Sequence, residues 1–199
     1  SELPWRGVSS PAVESRHVYV TSQAEDGKLW VIAVNRNDGS VAWKKDVGSG
    51  VHAANGPPEL YKHRHNPATS CPSADEEHVW AYFGTGLIVC FDVDGHEIWR
   101  RDLVKDYGPY DIRFGMASSP RLWGDNLYIA CMTKGPSYVL ALNKITGQQV
   151  WKTDRDLTAA DDGRDSYSTP IVLQTPAGDQ LLVAGADHIN AYDLQSGKQ

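Results

Sequence analysis

The stretch "ALNKITGQQVW", residues 141–151, sets Ala141, Gly147 and Trp151 at steps of six and four, and "AVNRNDGSVAW", residues 33–43, sets Ala33, Gly39 and Trp43 at the same steps. In both, an apolar run rich in β-branched residues ends in Asn, and a short polar segment leads to the glycine. Such a run is a strand, and "NKITG" or "NRNDG" is a hairpin turn whose glycine takes a positive φ. Working outward, the pattern recurs twice more. "CFDVDGHEIW" carries Cys90, Gly95 and Trp99 with one residue fewer, and "AYDLQSG" carries Ala191 and Gly197, with its tryptophan position falling beyond Gln199.

A second marker runs in step with the first. Ser-x-Pro occurs at Ser9–Pro11, Ser70–Pro72, Ser118–Pro120 and Ser168–Pro170, each time followed by an apolar run such as "HVYVTS" or "NLYIACM". Each unit of roughly 50 residues has room for about four short strands and shows no helical period. Repetition of that kind predicts an all-β fold, a β-propeller of four-stranded antiparallel blades, in which radial repetition protects the sheet edges. The expected blades span 8–47, 66–103, 115–153 and 166–199 within a single domain of 199 residues, the last one incomplete.

Composition excludes several classes. A net charge of −6 leaves no basic stripe for nucleic acid. No apolar run approaches the roughly 18–20 residues that span a bilayer, and "SELPWRGVSSP" shows no export signal. Cys71, Cys90 and Cys131 form no CxxC pair and read as small apolar residues beside strands.

The tryptophans belong to the outer strand, where a flat indole reaches the next blade and buries on the order of 200 Å². Its ring N–H calls for a backbone carbonyl near the neighbouring turn. Ala33, Ala141 and Ala191, with Cys90 in the second unit, are expected to be small so that an indole from an adjacent blade fits.

These spacings closely resemble the tryptophan-docking motif of PQQ-like, quinoprotein-dehydrogenase-like β-propellers, a class that also includes the lipoprotein propeller of the outer-membrane β-barrel assembly machinery and is grouped with WD40/YVTN-like repeats. The resemblance covers essentially the whole chain. It implies a ring of seven or eight blades, so that this chain is expected to be a fragment or a half-ring whose open blades self-associate as a dimer, a self-closed four-bladed ring being the alternative. It also implies a bacterial periplasmic or cell-envelope location. The dehydrogenase members of the class bind pyrroloquinoline quinone with a metal ion on the axis and share a vicinal disulfide. Neither an adjacent Cys pair nor a DxDxDG calcium pattern stands in this sequence, so no quinone or calcium site is expected.

Function concentrates on loops held by a rigid scaffold. Three long polar segments join an outer strand to the next inner strand: Gly48–Thr69, Val104–Gly115 and Asp154–Tyr167. Arg6, Arg64, Arg113 and Arg164 precede the four prolines and either ring the channel mouth to hold an anionic ligand or acidic peptide, or pair with acids such as Asp111, Asp161, Asp162 and Asp165. His52, His63 and His65 sit in the first loop; "HRH" offers two imidazoles but no third ligand, and is taken as a solvated turn. The acidic run 154–165 is likewise taken as solvated rather than as a calcium site, its carboxylates being poorly spaced and partly neutralised by Arg155 and Arg164. Tyr107, Tyr110, Trp5 and Trp123 are either ligand platforms or local packing. The favoured function is a non-catalytic scaffold that binds a protein or peptide partner on this loop face. The alternatives are a quinone-dependent oxidoreductase domain with its site partly outside these residues, and a propeller that binds carbohydrate or another small ligand.

Overall fold

Runs such as His17–Gln23 and Lys28–Asn35 alternate along the strand period of two and pair as antiparallel neighbours. The computed structural model describes residues 5–51, 56–57, 65–160 and 163–199. The first sheet is β1 (Ala12–Val13), β2 (His17–Gln23), β3 (Lys28–Asn35) and β4 (Val41–Ser49), hydrogen-bonded in chain order. The second is β5 (Ser73–Ala74), β6 (His78–Tyr82), β7 (Leu87–Asp92) and β8 (Glu97–Asp102). The third is β9 (Arg121–Trp123), β10 (Asn126–Cys131), β11 (Tyr138–Asn143) and β12 (Gln149–Asp154). In the fourth, β13 (Ile171–Leu173), β14 (Gln180–Gly185) and β15 (His188–Asp193) form three strands.

The sheets stack face to face. Val79 and Ala81 on one side of β6 pack with Tyr19, Val31 and Ala33 of the first sheet, while Trp80 and Tyr82 on the other side pack with Leu127, Ile129 and Leu140 of the third. Tyr128, Ala130 and Val139 then meet Leu181, Val183 and Tyr192 of the fourth. Strands buried on both faces explain why "NLYIAC" and "YVLALN" are almost continuously apolar. The molecule is a β-propeller of four-stranded antiparallel blades, with three strands in the fourth.

In the turns that follow β7, β11 and β15, the Asp or Asn that ends the strand folds the turn with its side chain, and in the first unit Asp38 does so instead, accepting from the Ser40 amide at 2.9 Å. Asn143 Oδ1 accepts from the Ile145 and Thr146 amides at 3.0 and 2.9 Å, and Asp193 Oδ1 accepts from the Gln195 and Ser196 amides at 3.1 and 2.7 Å. A bulge follows. The register slips at Ala33/Val34, Cys90/Phe91 and Ala141/Leu142, which sets Trp43, Trp99 and Trp151 opposite Ala33, Cys90 and Ala141 of their own sheets.

The small residue therefore has a different reason from the expected one. Ala33 lies between Tyr19 and Trp43 of its own sheet, and the two rings meet across it at 5.8 Å; Tyr128 and Trp151 meet across Ala141 at 5.9 Å. A larger side chain at either position would part the rings, whichever blade lay beyond. Ala191 stands opposite Leu182 on a half-buried face.

Across to the next sheet, the indole N–H groups of Trp43, Trp99 and Trp151 donate to the carbonyls of Val93, Lys144 and Leu194 at 2.9, 2.9 and 3.0 Å. Each ring also lies on the turn glycine of that sheet, Gly95, Gly147 or Gly197. Two further contacts were not expected. Trp80 sends a second indole N–H to Lys144 O at 2.8 Å, and the residue two beyond the tryptophan reaches the glycine carbonyl: Arg101 Nη1 to Gly147 at 3.2 Å and Thr153 Oγ1 to Gly197 at 2.7 Å.

The Ser-x-Pro elements form an inner belt. Ser70 Oγ donates to Ser118 O and Ser118 Oγ to Ser168 O, at 2.9 and 3.0 Å. The middle residue joins in the same direction: Cys71 N to Ser119 Oγ at 2.9 Å, Ser119 N to Thr169 Oγ1 at 3.1 Å, and Ser10 N to Cys71 Sγ at 3.2 Å. Among the described residues one short α-helix interrupts the all-β pattern, α1 (Leu103–Tyr107), opened by the Asp102 side chain accepting from the Lys105 amide at 3.1 Å and closed at Gly108.

Candidate binding face

The connections from outer to inner strands lie on one side of the propeller together with the β2–β3, β6–β7, β10–β11 and β14–β15 hairpins. A single residue ties these connections together. The main chain of Arg113 accepts from the Gly56 amide at 2.9 Å and donates to Asp165 Oδ2 at 2.8 Å, joining the first, second and third long segments. Above this junction the Arg113 guanidinium lies 5.3 Å from the Phe114 ring centre, and Phe114 meets Tyr167 at 6.1 Å. Tyr167 is 36 % exposed. Arginine, tyrosine and phenylalanine stacked on a braced surface are the residue types that carry binding energy at protein interfaces.

Among the described residues the candidates are spread rather than gathered: most lie along this side, and Trp123 stands at the β9–β10 turn on the opposite one. Arg6 bridges to Gln23 and shares a cleft of about 1000 Å³ with Trp5, Glu25, Lys28, Trp30 and His65. Burial holds the His65 imidazole below its ordinary pKa, favouring its neutral form. Arg164 forms an ion pair with the exposed Asp156, an acid eight residues away in the same loop. His52, His63, Arg64, Asp161 and Asp162 lie outside the described residues.

The aromatic candidates divide. Tyr110 is only 8 % exposed, so it is not a surface platform; its hydroxyl pairs with that of Tyr82 at 2.6 Å, and burial pushes both phenols well above their ordinary pKa. The Gly108–Pro109 turn beside it sends the chain inward instead of displaying the ring. Tyr107 packs locally, its hydroxyl accepting from Arg101 at 2.9 Å and donating to Gln149 at 2.8 Å, its ring against Tyr138 at 5.1 Å. Trp5 stacks on Trp30 at 4.6 Å under the Lys44 ammonium, and Trp123 is half-buried against the cluster that holds Trp151.

The thiols of Cys71, Cys90 and Cys131 are unpaired, and among the described residues no three His, Cys, Asp or Glu side chains converge where a cation could be held. No helix among the described residues is long and apolar enough to cross a membrane.

A sequence-family profile described as outer membrane protein assembly factor BamB matches residues 27–199. The chain belongs to this BamB family. A sequence comparison with curated proteins gives no match. Among solved structures, BamB from Moraxella catarrhalis is similar over 98 % of this chain and 50 % of its own, at 18 % identity and a TM-score of 0.55. Quinohemoprotein alcohol dehydrogenase from Comamonas testosteroni is similar over 75 % of this chain and 21 % of its own, at 16 % identity and a TM-score of 0.52. A europium-containing methanol dehydrogenase is similar over 81 % and 28 %, at 13 % identity and a TM-score of 0.51. At these identities the likeness is one of fold, and the chain spans half the length of the Moraxella BamB or less of the others.

Within this BamB-family fold, the loop junction was hidden from sequence reading because Arg113 acts through its main chain. The only signal available was its place before the third Ser-x-Pro element.

Proposed function

We propose that the chain is a non-catalytic propeller that binds a protein partner on its loop face, as part of outer membrane protein assembly in the bacterial cell envelope. The observation that carries this reading is the junction at Arg113. It braces three loops against one another and sets Arg113, Phe114 and the exposed Tyr167 on a common surface. A face so braced loses little freedom on binding, which favours recognition of a folded or extended polypeptide. The BamB family description and the likeness to the Moraxella protein support the envelope setting.

A photo-crosslinking residue placed at position 167 in envelope-expressed protein tests this. The expected result is a discrete adduct that mass spectrometry identifies as an outer-membrane assembly component. Ile98, exposed on an outer strand, supplies the control position. The same adduct at 98, or no adduct at 167, overturns the reading.

A further inference from the structure

The outer strands share a sequence rhythm beyond the tryptophan. "WKKDV", "WRRDL" and "WKTDR" place an Asp three residues on, at Asp46, Asp102 and Asp154, and then Val47, Leu103 and Arg155. Val47 and Leu103 are buried between successive sheets, as their apolar side chains require. Arg155 fills the third such place and is 3 % exposed. A cation stands where the other units bury an aliphatic side chain.

Its guanidinium is met by neutral groups. Nε and Nη2 donate to Asn190 Oδ1 at 3.1 and 2.7 Å, Nη2 donates to Gly185 O at 2.7 Å, and Nη1 faces the Met132 sulfur at 3.3 Å. Among the described residues no carboxylate pairs with it. A buried charge without a counter-charge is expensive, and departures from a local rule of this sort collect at sites with a task.

The partners locate that task. Gly185 and Asn190 flank the β14–β15 turn, whose Ala186 and Asp187 take left-handed backbone conformations (φ 52° and 59°). The Ala186 amide donates to Gly163 O at 3.0 Å, in the far half of the third long loop, while the Arg155 amide, at the loop's start, donates to Ser137 O at 2.8 Å. The loop is thus fastened at its root to the third sheet and, through Arg155 and the turn it grips, at its far half to the fourth. We propose that Arg155 is a positioning residue that makes the shape of the third loop depend on the seating of the fourth sheet. The proposal rests on the loop face being the binding face only for its functional meaning; its geometry stands apart from any partner.

Hydrogen exchange on the purified chain tests it without a ligand. Arg155→Leu, a residue that Leu103 shows this place accepts, is expected to speed exchange of the Ala186 amide by about tenfold or more while leaving β10 and β11 and the urea midpoint unchanged. Arg155→Lys, which keeps the charge but cannot fork to Asn190 and Gly185, is expected to speed it as well. Asn190→Asp supplies the missing counter-charge and is expected to slow that amide and raise the urea midpoint. Unchanged Ala186 exchange in Arg155→Leu, equal acceleration throughout β10 and β11, or a lowered midpoint in Asn190→Asp overturns the proposal. Failure of crosslinking at position 167 would leave these results untouched.

Discussion

The ring of Trp99 lies flat on Gly147 of the following sheet, so closely that a Cβ on that glycine would stand 2.6 Å from the indole carbons. Gly147 also carries a φ of +68°, which disfavours any L side chain. Turn geometry and inter-sheet packing thus ask for the same residue. Gly124 separates the two demands, having a φ of +56° with nothing within 4 Å of its would-be Cβ. Gly147→Ala should lower unfolding stability by about 2–4 kcal/mol and Gly124→Ala by only about 1–2 kcal/mol, measured by urea titration. Equal losses would show that the indole gives way freely.

Lys144 O receives two indole N–H groups, from Trp80 and Trp99. Either tryptophan alone still satisfies this carbonyl, but losing both leaves a partly buried acceptor without a protein donor. Trp80→Phe combined with Trp99→Phe should therefore cost about 1 kcal/mol more than the sum of the single changes. A strictly additive double-mutant cycle would remove the shared acceptor as a source of stability.

Burial pushes the Cys90 and Cys131 thiols up to about 12. In the unfolded chain a thiol titrates near about 8.5, so their contribution is whole below that pH and is lost as pH rises toward the folded value. Stability should fall between about pH 9 and pH 11 by up to about 1.4 kcal/mol per pH unit for each thiol. Cys90→Ala with Cys131→Ala should flatten that slope even if it lowers stability at pH 7. An alkaline slope unaltered by the double change would assign the loss to the buried phenols instead.

Cys71 takes the place in the inner belt that Ser119 and Thr169 hold in the next two units, and its sulfur accepts from the Ser10 amide at 3.2 Å. Sulfur is the weaker acceptor. Cys71→Ser should raise stability by about 0.5 kcal/mol, read as a higher thermal midpoint. A lower midpoint would mean that the thiol's packing outweighs the hydrogen bond.

The repeat was legible because its residues answer to the backbone and to bulk: Gly39, Gly95, Gly147 and Gly197 need positive φ, and the tryptophans need a broad flat seat. The role of Ala33 was misassigned because spacing along a chain does not say which sheet supplies the facing ring. The bulge beside it is settled only once the strands pair. On the loop face, Arg164 was seen but its partner Asp156 was not, since contacts within a loop follow no period. Arg155 reads in the sequence as partly neutralising the acids of its own loop, whereas its guanidinium turns to Asn190 and Gly185. Its meaning emerges only from alignment with Val47 and Leu103.

Among the described residues, three apolar clusters each join one sheet to the next. Such a molecule has no common centre whose loss would collapse it at once, and its cohesion is that of masonry courses, as strong as the weakest seam. In that arithmetic the free energy is a sum over nearest neighbours, and a fault at one seam need not spread to the rest. A fault at the seam that holds the buried Arg155 would therefore be felt in the third loop while the first two seams hold.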